Sequence, residues 1–343
     1  MATLGRLAGI IAAAALLAAC GVPNNAEGIV YKGERLAVVD MHMHTGKWAD
    51  MPPDFHFRLR ESVPTGAKWT MPFLSDVMLS ETSILRQMNS AGISAIGMFA
   101  VYSPHTTGIA TNELVSDWCD ADPERLYGFA SIRTDQWNVN GDEWLAKFES
   151  DLANLPHMIG VKLAHAHQQW RFDDERTNGV YEVAGRLGKP IYLHTSGSPN
   201  PGIRTEPPYN DPYYLEDAIR KYPDTIFILG HAGWDSLNKE LTYLPAVIDL
   251  AQRYENVYFE PGALGAHRAD ERVDEFVIRV KEAGLANKMI YGSDGAQFPG
   301  YIKRHLEHFV AAMDRADYSV EETRLILSDN FSRVFGLPPF TVQ

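Results

Sequence analysis

Along most of its length the chain alternates two hydrophobic patterns. Short continuous apolar runs, such as Ile96-Gly97-Met98-Phe99-Ala100-Val101 and Ile226-Phe227-Ile228-Leu229, have the density of strands buried on both faces. Between them lie longer stretches with the spacing of helices that lay one face on a core. The runs predict eight strands, at 38–44, 94–102, 127–133, 157–166, 190–195, 225–231, 257–261 and 288–293. A helix follows each; the one at 80–91 starts on Ser80 as N-cap and stops at Gly92. Eight strand–helix units predict a single α/β (β/α)8 TIM barrel. The rival, a doubly wound open sheet, is disfavoured because no Gly-x-Gly-x-x-Gly follows the first strand. Two long irregular stretches, 45–75 and 196–212, interrupt the alternation, and loops of that length usually serve a site.

Composition narrows the function. The 343 residues are 45% hydrophobic, enough for one large core. A formal net charge of −13 excludes a nucleic-acid partner, which needs clustered Lys and Arg, and provides no pull towards anionic lipid. The N-terminus is different in kind. Arg6 precedes an apolar run over 7–17 that is too short to span a bilayer, and Leu17-Ala18-Ala19-Cys20 resembles the bacterial lipobox. Residues 1–19 therefore read as a lipoprotein signal peptide, 20–35 as a tether and 36–343 as the barrel domain. A lipid on Cys20 would anchor the protein in the bacterial cell envelope, and Gly21 after it favours the outer membrane. Cys119, the other cysteine, falls in a helical pattern at 112–120 and reads as packing. A homo-oligomer is compatible with the sequence.

In a barrel of this kind chemistry sits at the C-terminal ends of the strands. Those ends carry His42 and His44, His165 and His167, His194, His231 and Asp294, so six of the 12 histidines fall on one rim. Strict alternation along Val38-Val39-Asp40-Met41-His42-Met43-His44 would put Asp40, His42 and His44 on one side. Converging neutral imidazoles suit zinc, manganese or iron. Trp48, Phe55, Arg58, Arg60 and Trp69 in the first long stretch, with Arg204 in the second, are candidates for a lid.

These pieces resemble the amidohydrolase superfamily, in the amidohydrolase-related branch that contains aminocarboxymuconate-semialdehyde decarboxylase. The resemblance rests on Val39-Asp40-Met41-His42-Met43-His44, Ile159-Gly160-Val161-Lys162-Leu163, Ile191-Tyr192-Leu193-His194, Leu229-Gly230-His231-Ala232-Gly233, Ile290-Tyr291-Gly292-Ser293-Asp294 and the closing run from Asp329 to Leu337. It implies one divalent metal, zinc first and manganese or iron next, held by His42, His44, His194 and Asp294. It implies His231 as the group that polarises substrate or shuttles a proton, and Asp294 as general base as well as ligand. Other branches of the superfamily carboxylate a strand-four lysine to bridge two metals, and Lys162 stands at that place. His165 and His167 read as pocket-lining or supporting groups.

The leading expectation is a metal-dependent hydrolase of a small substrate, with water attacking the C–N or C–O bond of an amide or lactone. A nonoxidative decarboxylase using the same site is the alternative. A binding protein that keeps the barrel without catalysis is the third reading, and the complete ligand set argues against it.

Overall fold

The computed structural model describes residues 27–198, 206–235, 238–265, 272–295 and 299–342. The leader, Cys20 and Arg204 lie outside these residues. Seven parallel strands, each paired with the next, form the wall: β1 (Val39–His44), β2 (Ala95–Phe99), β3 (Leu126–Ala130), β4 (Met158–Leu163), β5 (Ile191–His194), β6 (Phe227–Gly230) and β7 (Val257–Glu260). Residues 288–295 fill the eighth place. They bond to β7 through the Ile290 amide and Phe259 carbonyl (2.9 Å), and to β1 through the Met41 amide and Tyr291 carbonyl (3.1 Å) and the His44 amide and Gly295 carbonyl (2.8 Å). The wall thus closes into a (β/α)8 barrel, with an eighth stave too irregular to count as a strand.

Side-chain alternation divides the core in two. Val39, Met41, Ala95, Phe99, Phe129, Tyr192, Ile228 and Ile290 fill the interior, and Phe331 and Val334 of the helix Asn330–Phe335 plug it. The opposite faces pack under the helices. In Leu244–Arg253, for example, Leu244, Val247, Leu250 and Ala251 are buried at a spacing of three and four. Each such leucine or valine contributes roughly 1.5–3 kcal/mol by leaving water.

Two stretches depart from expectation. Part of the supposed tether is folded, because Ile29–Tyr31 and Glu34–Leu36 pair as an antiparallel hairpin. The Gly28 amide donates to the Gly92 carbonyl (3.0 Å), so the chain arrives at the N-terminal end of the barrel strands. The long stretch after β1 is helical: Pro53–Glu61, a 3-10 turn over Thr65–Thr70, and Met71–Met78. Its two ends are tied where the Thr45 hydroxyl donates to the Leu79 carbonyl (3.0 Å).

Candidate metal centre

The site starts from an irregularity in β1. Its register against β2 runs Val39 to Ala95, Asp40 to Ile96, then Met43 to Met98, so three steps on β1 match two on β2. The extra residue is a β-bulge, which turns side chains beyond it to the other face. Val39 and Met41 point into the barrel before it; His42 also faces inward, against Phe99 (4.7 Å between ring centroids) and Tyr192 (4.9 Å). Asp40 is correspondingly turned away, which corrects the expectation that it shares a side with His42 and His44. Gly97 makes room for the bulge: a Cβ there would sit 2.5 Å from the Met41 carbonyl oxygen.

Beyond the bulge three donors converge. His42 Nε2 and His44 Nε2 are 3.1 Å apart, and Asp294 Oδ1 lies 3.2 Å from the first and 3.0 Å from the second. A cation with bonds of about 2.1 Å holds its ligands about 3.0 Å apart in an octahedron and about 3.4 Å apart in a tetrahedron. The triangle falls in that range, and among the described residues it is the group of three that could hold a metal ion.

Protonation favours the same use. His42 Nδ1 faces Glu260 Oε1 (3.2 Å) and the Tyr192 hydroxyl (3.0 Å). Glu260 Oε2 is already taken by the Tyr192 hydroxyl (3.0 Å) and the His231 amide (3.1 Å), so an ionised Glu260 receives Nδ1–H on Oε1 and leaves Nε2 its lone pair. Burial, reinforced by Lys162 and the neighbouring imidazoles, holds His42 well below the usual histidine range. Burial also raises the Asp294 carboxyl, but His44, His231 and Lys162 outweigh it, and the net shift is downward. A neutral His42 imidazole and an ionised Asp294 carboxylate are the forms a divalent cation binds.

His194 stands beside this group, paired with His231. His231 Nδ1–H donates to the Gly262 carbonyl (2.9 Å), which leaves Nε2 to accept from His194 Nδ1 (2.8 Å). His194 Nε2 is then a lone pair, buried and without a hydrogen-bond partner. An unmet buried acceptor costs about 1–3 kcal/mol, and a cation would offset it. The His231 ring lies 5.2 Å from that of His42. Both of its nitrogens are engaged, one by the Gly262 carbonyl and one by His194. Burial pushes its pKa down to about 4.

The remaining histidines part company. His165 turns into the protein, donating to the Trp170 carbonyl (2.9 Å) beside Phe172. His167 stays at the rim, with its Nδ1 on the Ser198 hydroxyl (3.0 Å) and its ring 4.5 Å from that of His194. Lys162 is buried with its ammonium 4.0 Å from the Tyr192 ring centroid and 4.7 Å from that of Phe99. Burial pulls its pKa down to about 7. In the helical excursion, Trp48 stacks flat on His56 at 3.9 Å, and Arg60 lies 5.2 Å from the Trp48 ring. Trp69 is 67% exposed.

Sequence reasoning missed Glu260 and Tyr192. Glu260 is fully buried and pushed up to about 8, against the amides of His231 and Gly262 and the Tyr192 hydroxyl. Three glycines cradle this pair: a Cβ at Gly230 would meet Tyr192 Cζ at 1.9 Å, and one at Gly292 or Gly262 would meet Glu260 Oε1 at 2.2 or 2.5 Å. The available signal was an acidic residue closing the apolar run Val257-Tyr258-Phe259-Glu260. Backbone strain gathers here too. His231 (φ 61°), Ala232 (φ 47°) and Asp294 (φ 63°) adopt the left-handed region, at about 1–3 kcal/mol each.

Comparison with known proteins gives a family and a fold. The family described as Amidohydrolase matches the chain over residues 39–337. A TIM-barrel protein from Bordetella bronchiseptica is similar at a TM-score of 0.65, with 18% identity over 88% of this chain and 99% of that one. A protein from Acinetobacter baumannii described as a probable 2-pyrone-4,6-dicarboxylic acid hydrolase, with citric acid bound, is similar at 0.58, with 16% identity over 88% and 100%. The 5-carboxyvanillate decarboxylase of Novosphingobium aromaticivorans, in complex with manganese, is similar at 0.56, with 17% identity over 92% and 100%. At these identities the likeness concerns the fold. No curated protein sequence matches the chain.

Proposed function

We propose, from the premise that this chain belongs to the amidohydrolase family and is an enzyme of it, that it is a hydrolase of a small amide or lactone working with one divalent metal. His42, His44 and Asp294 would hold the metal, with His194 as fourth donor. The observation that carries the reading is the triangle of two imidazole Nε2 atoms and one carboxylate oxygen at 3.0–3.2 Å. When bound, the metal supplies Lewis acidity, which polarises a carbonyl and makes water acidic.

The protein's own groups do the rest. Asp294, held as a carboxylate, takes the proton of the attacking water and returns it to the departing nitrogen or oxygen, so one C–O bond forms as the C–N or C–O bond breaks. Glu260 and Tyr192 orient His42, and His231 orients His194. His44 and Asp294 face outwards enough to meet substrate, with side chains 30% and 15% exposed. Zinc is the first choice of metal. Manganese follows, because the 5-carboxyvanillate decarboxylase neighbour binds it. A second metal on a carboxylated Lys162 has less support, since its ammonium lies over two aromatic rings.

The same neighbour gives decarboxylation a specific claim as the second reading, with the same residues and Asp294 handling the proton. Metal analysis of protein lacking residues 1–20, together with a screen of small amides, lactones and aromatic carboxylates, tests both. About one equivalent of metal is expected, with a new acid and an amine or alcohol as products. Carbon dioxide without those products would select the decarboxylase. Two equivalents of metal would reinstate Lys162, and none would remove the metal reading. A lipid on Cys20 completes the proposal. Because Gly28 sits at the N-terminal end of the strands, such an anchor would leave the opposite end, with its metal group, facing away from the membrane.

A further inference from the structure

The two halves of the ligand group meet where the barrel ladder is broken. β1 and the 288–295 segment exchange backbone bonds at Met41 and at His44, with the bulge between them. At the bulge two amides turn to a side chain. The His42 amide and the Ser293 amide both donate to one atom, Asp40 Oδ1, at 3.1 and 2.8 Å. One of these residues carries a ligand imidazole; the other immediately precedes Asp294. On the far side of Asp294, the Gly295 amide donates to the Ser293 hydroxyl oxygen (3.1 Å) and to the His42 carbonyl (3.3 Å). The left-handed turn at Asp294 is thereby pinned on both flanks.

Asp40 is fully buried, and its second oxygen, Oδ2, has no hydrogen-bond partner. The groups gathered on that side, Tyr291, Tyr301 and His305, belong to the wall behind the site. The Tyr301 hydroxyl donates to the Ser293 carbonyl (3.3 Å), and the Tyr291 hydroxyl meets His305 Nδ1 (2.9 Å). A buried carboxylate with one oxygen unmet is a costly way to satisfy two amides. Its return lies in geometry: a single acceptor atom fixes how far the strand bearing His42 stands from the turn bearing Asp294.

We propose that Asp40 is a positioning residue for the metal, clamping β1 to the eighth stave so that His42 and Asp294 are spaced for a shared cation. The inference rests on the one-metal reading. It goes beyond it by giving a residue outside the ligand set control of metal affinity.

The test is titration of metal-free protein with cobalt(II) in competition with a chromophoric chelator, with the cobalt visible spectrum reporting ligand geometry. Asp40→Ala should bind about 10–100-fold more weakly, the range for supporting groups of metal ligands, and shift the spectrum. Asp40→Asn, which keeps an acceptor oxygen, should recover part of that loss. A role confined to folding would lower the melting temperature but leave the cobalt affinity and spectrum of the folded protein unchanged, which would overturn the inference. Should Asp40→Ala fail to fold, Asp40→Leu, which keeps the side chain's size without an acceptor atom, decides: weaker binding with a shifted spectrum supports the clamp, and wild-type values overturn it. Absence of cobalt binding by the wild-type protein would instead overturn the metal reading itself, and this inference with it.

Discussion

Gly262 offers a way to displace one ligand without touching any group that handles substrate or metal. Its backbone is not in the left-handed region, so alanine meets no conformational barrier there. The obstacle is space. A Cβ would lie 2.7 Å from His42 Nδ1, 2.5 Å from Glu260 Oε1 and 2.9 Å from Oε2, whereas ordinary contact starts near 3.4 Å. Restoring contact requires the His42 ring to retreat by about 0.7 Å (3.4 less 2.7) and the Glu260 carboxylate by about 0.9 Å (3.4 less 2.5). Both are walled in by Phe99, Tyr192 and the neighbouring glycines. Set against ligand edges of 3.0–3.2 Å, a shift of that size spoils the triangle.

Gly262→Ala should therefore lose about 10–100-fold in metal affinity, or about 1.4–2.7 kcal/mol. A separate overpacking cost of about 1–3 kcal/mol should appear in the metal-free protein. Chelator competition measures the first and thermal unfolding of the metal-free form the second. Gly66→Ala, where a Cβ would meet nothing within 4 Å, is the control. Wild-type affinity in Gly262→Ala would show that the position of His42 does not depend on its contact with Glu260, and would refute the reasoning.

Three further outcomes are expected. His231→Ala should weaken metal binding by about 10–100-fold, because His194 loses the acceptor that fixes its tautomer; full affinity with abolished turnover would assign His231 to the substrate instead. Cys119, wholly buried and pushed up to about 12 by burial, is a neutral thiol well below that pH, and should react with a disulfide reagent at pH 8 only after unfolding. Fast reaction in the native state would refute that burial. Cys20→Ser in the full-length protein should move it from the detergent-phase to the aqueous fraction, and an unchanged partition would remove the lipid anchor.

The hydrophobic pattern carried the barrel because each buried strand is an uninterrupted apolar run. It also put His42, His44 and Asp294 together, since strand ends of a barrel share one rim. What it missed has local physical reasons. The helix Pro53–Glu61 has no buried residue, so it shows no apolar stripe to reveal it. The hairpin at 29–36 has one buried residue per strand, too little to distinguish it from a linker. The eighth stave was predicted as an ordinary strand, but its backbone bends away from the ladder to bring Asp294 inward. Glu260 was passed over because a lone acidic residue ending a strand resembles a solvated terminus until the fold closes over it. The bulge in β1 was invisible because the glycine that admits it, Gly97, belongs to the next strand.

Some of these misses share a location. The bulge, the left-handed residues His231, Ala232 and Asp294, and the broken ladder at the eighth stave all lie on the rim that carries the ligands. The left-handed residues His231 and Asp294 at about 1–3 kcal/mol each, with an orphaned buried Oδ2 on Asp40 and Nε2 on His194 at about 1–3 kcal/mol each, are a large fraction of a typical stability of 5–15 kcal/mol. The unmet His194 Nε2 beside the triangle of donors is what a site completed by a cation requires: a polar atom left without a partner at a cost that the cation offsets when it binds.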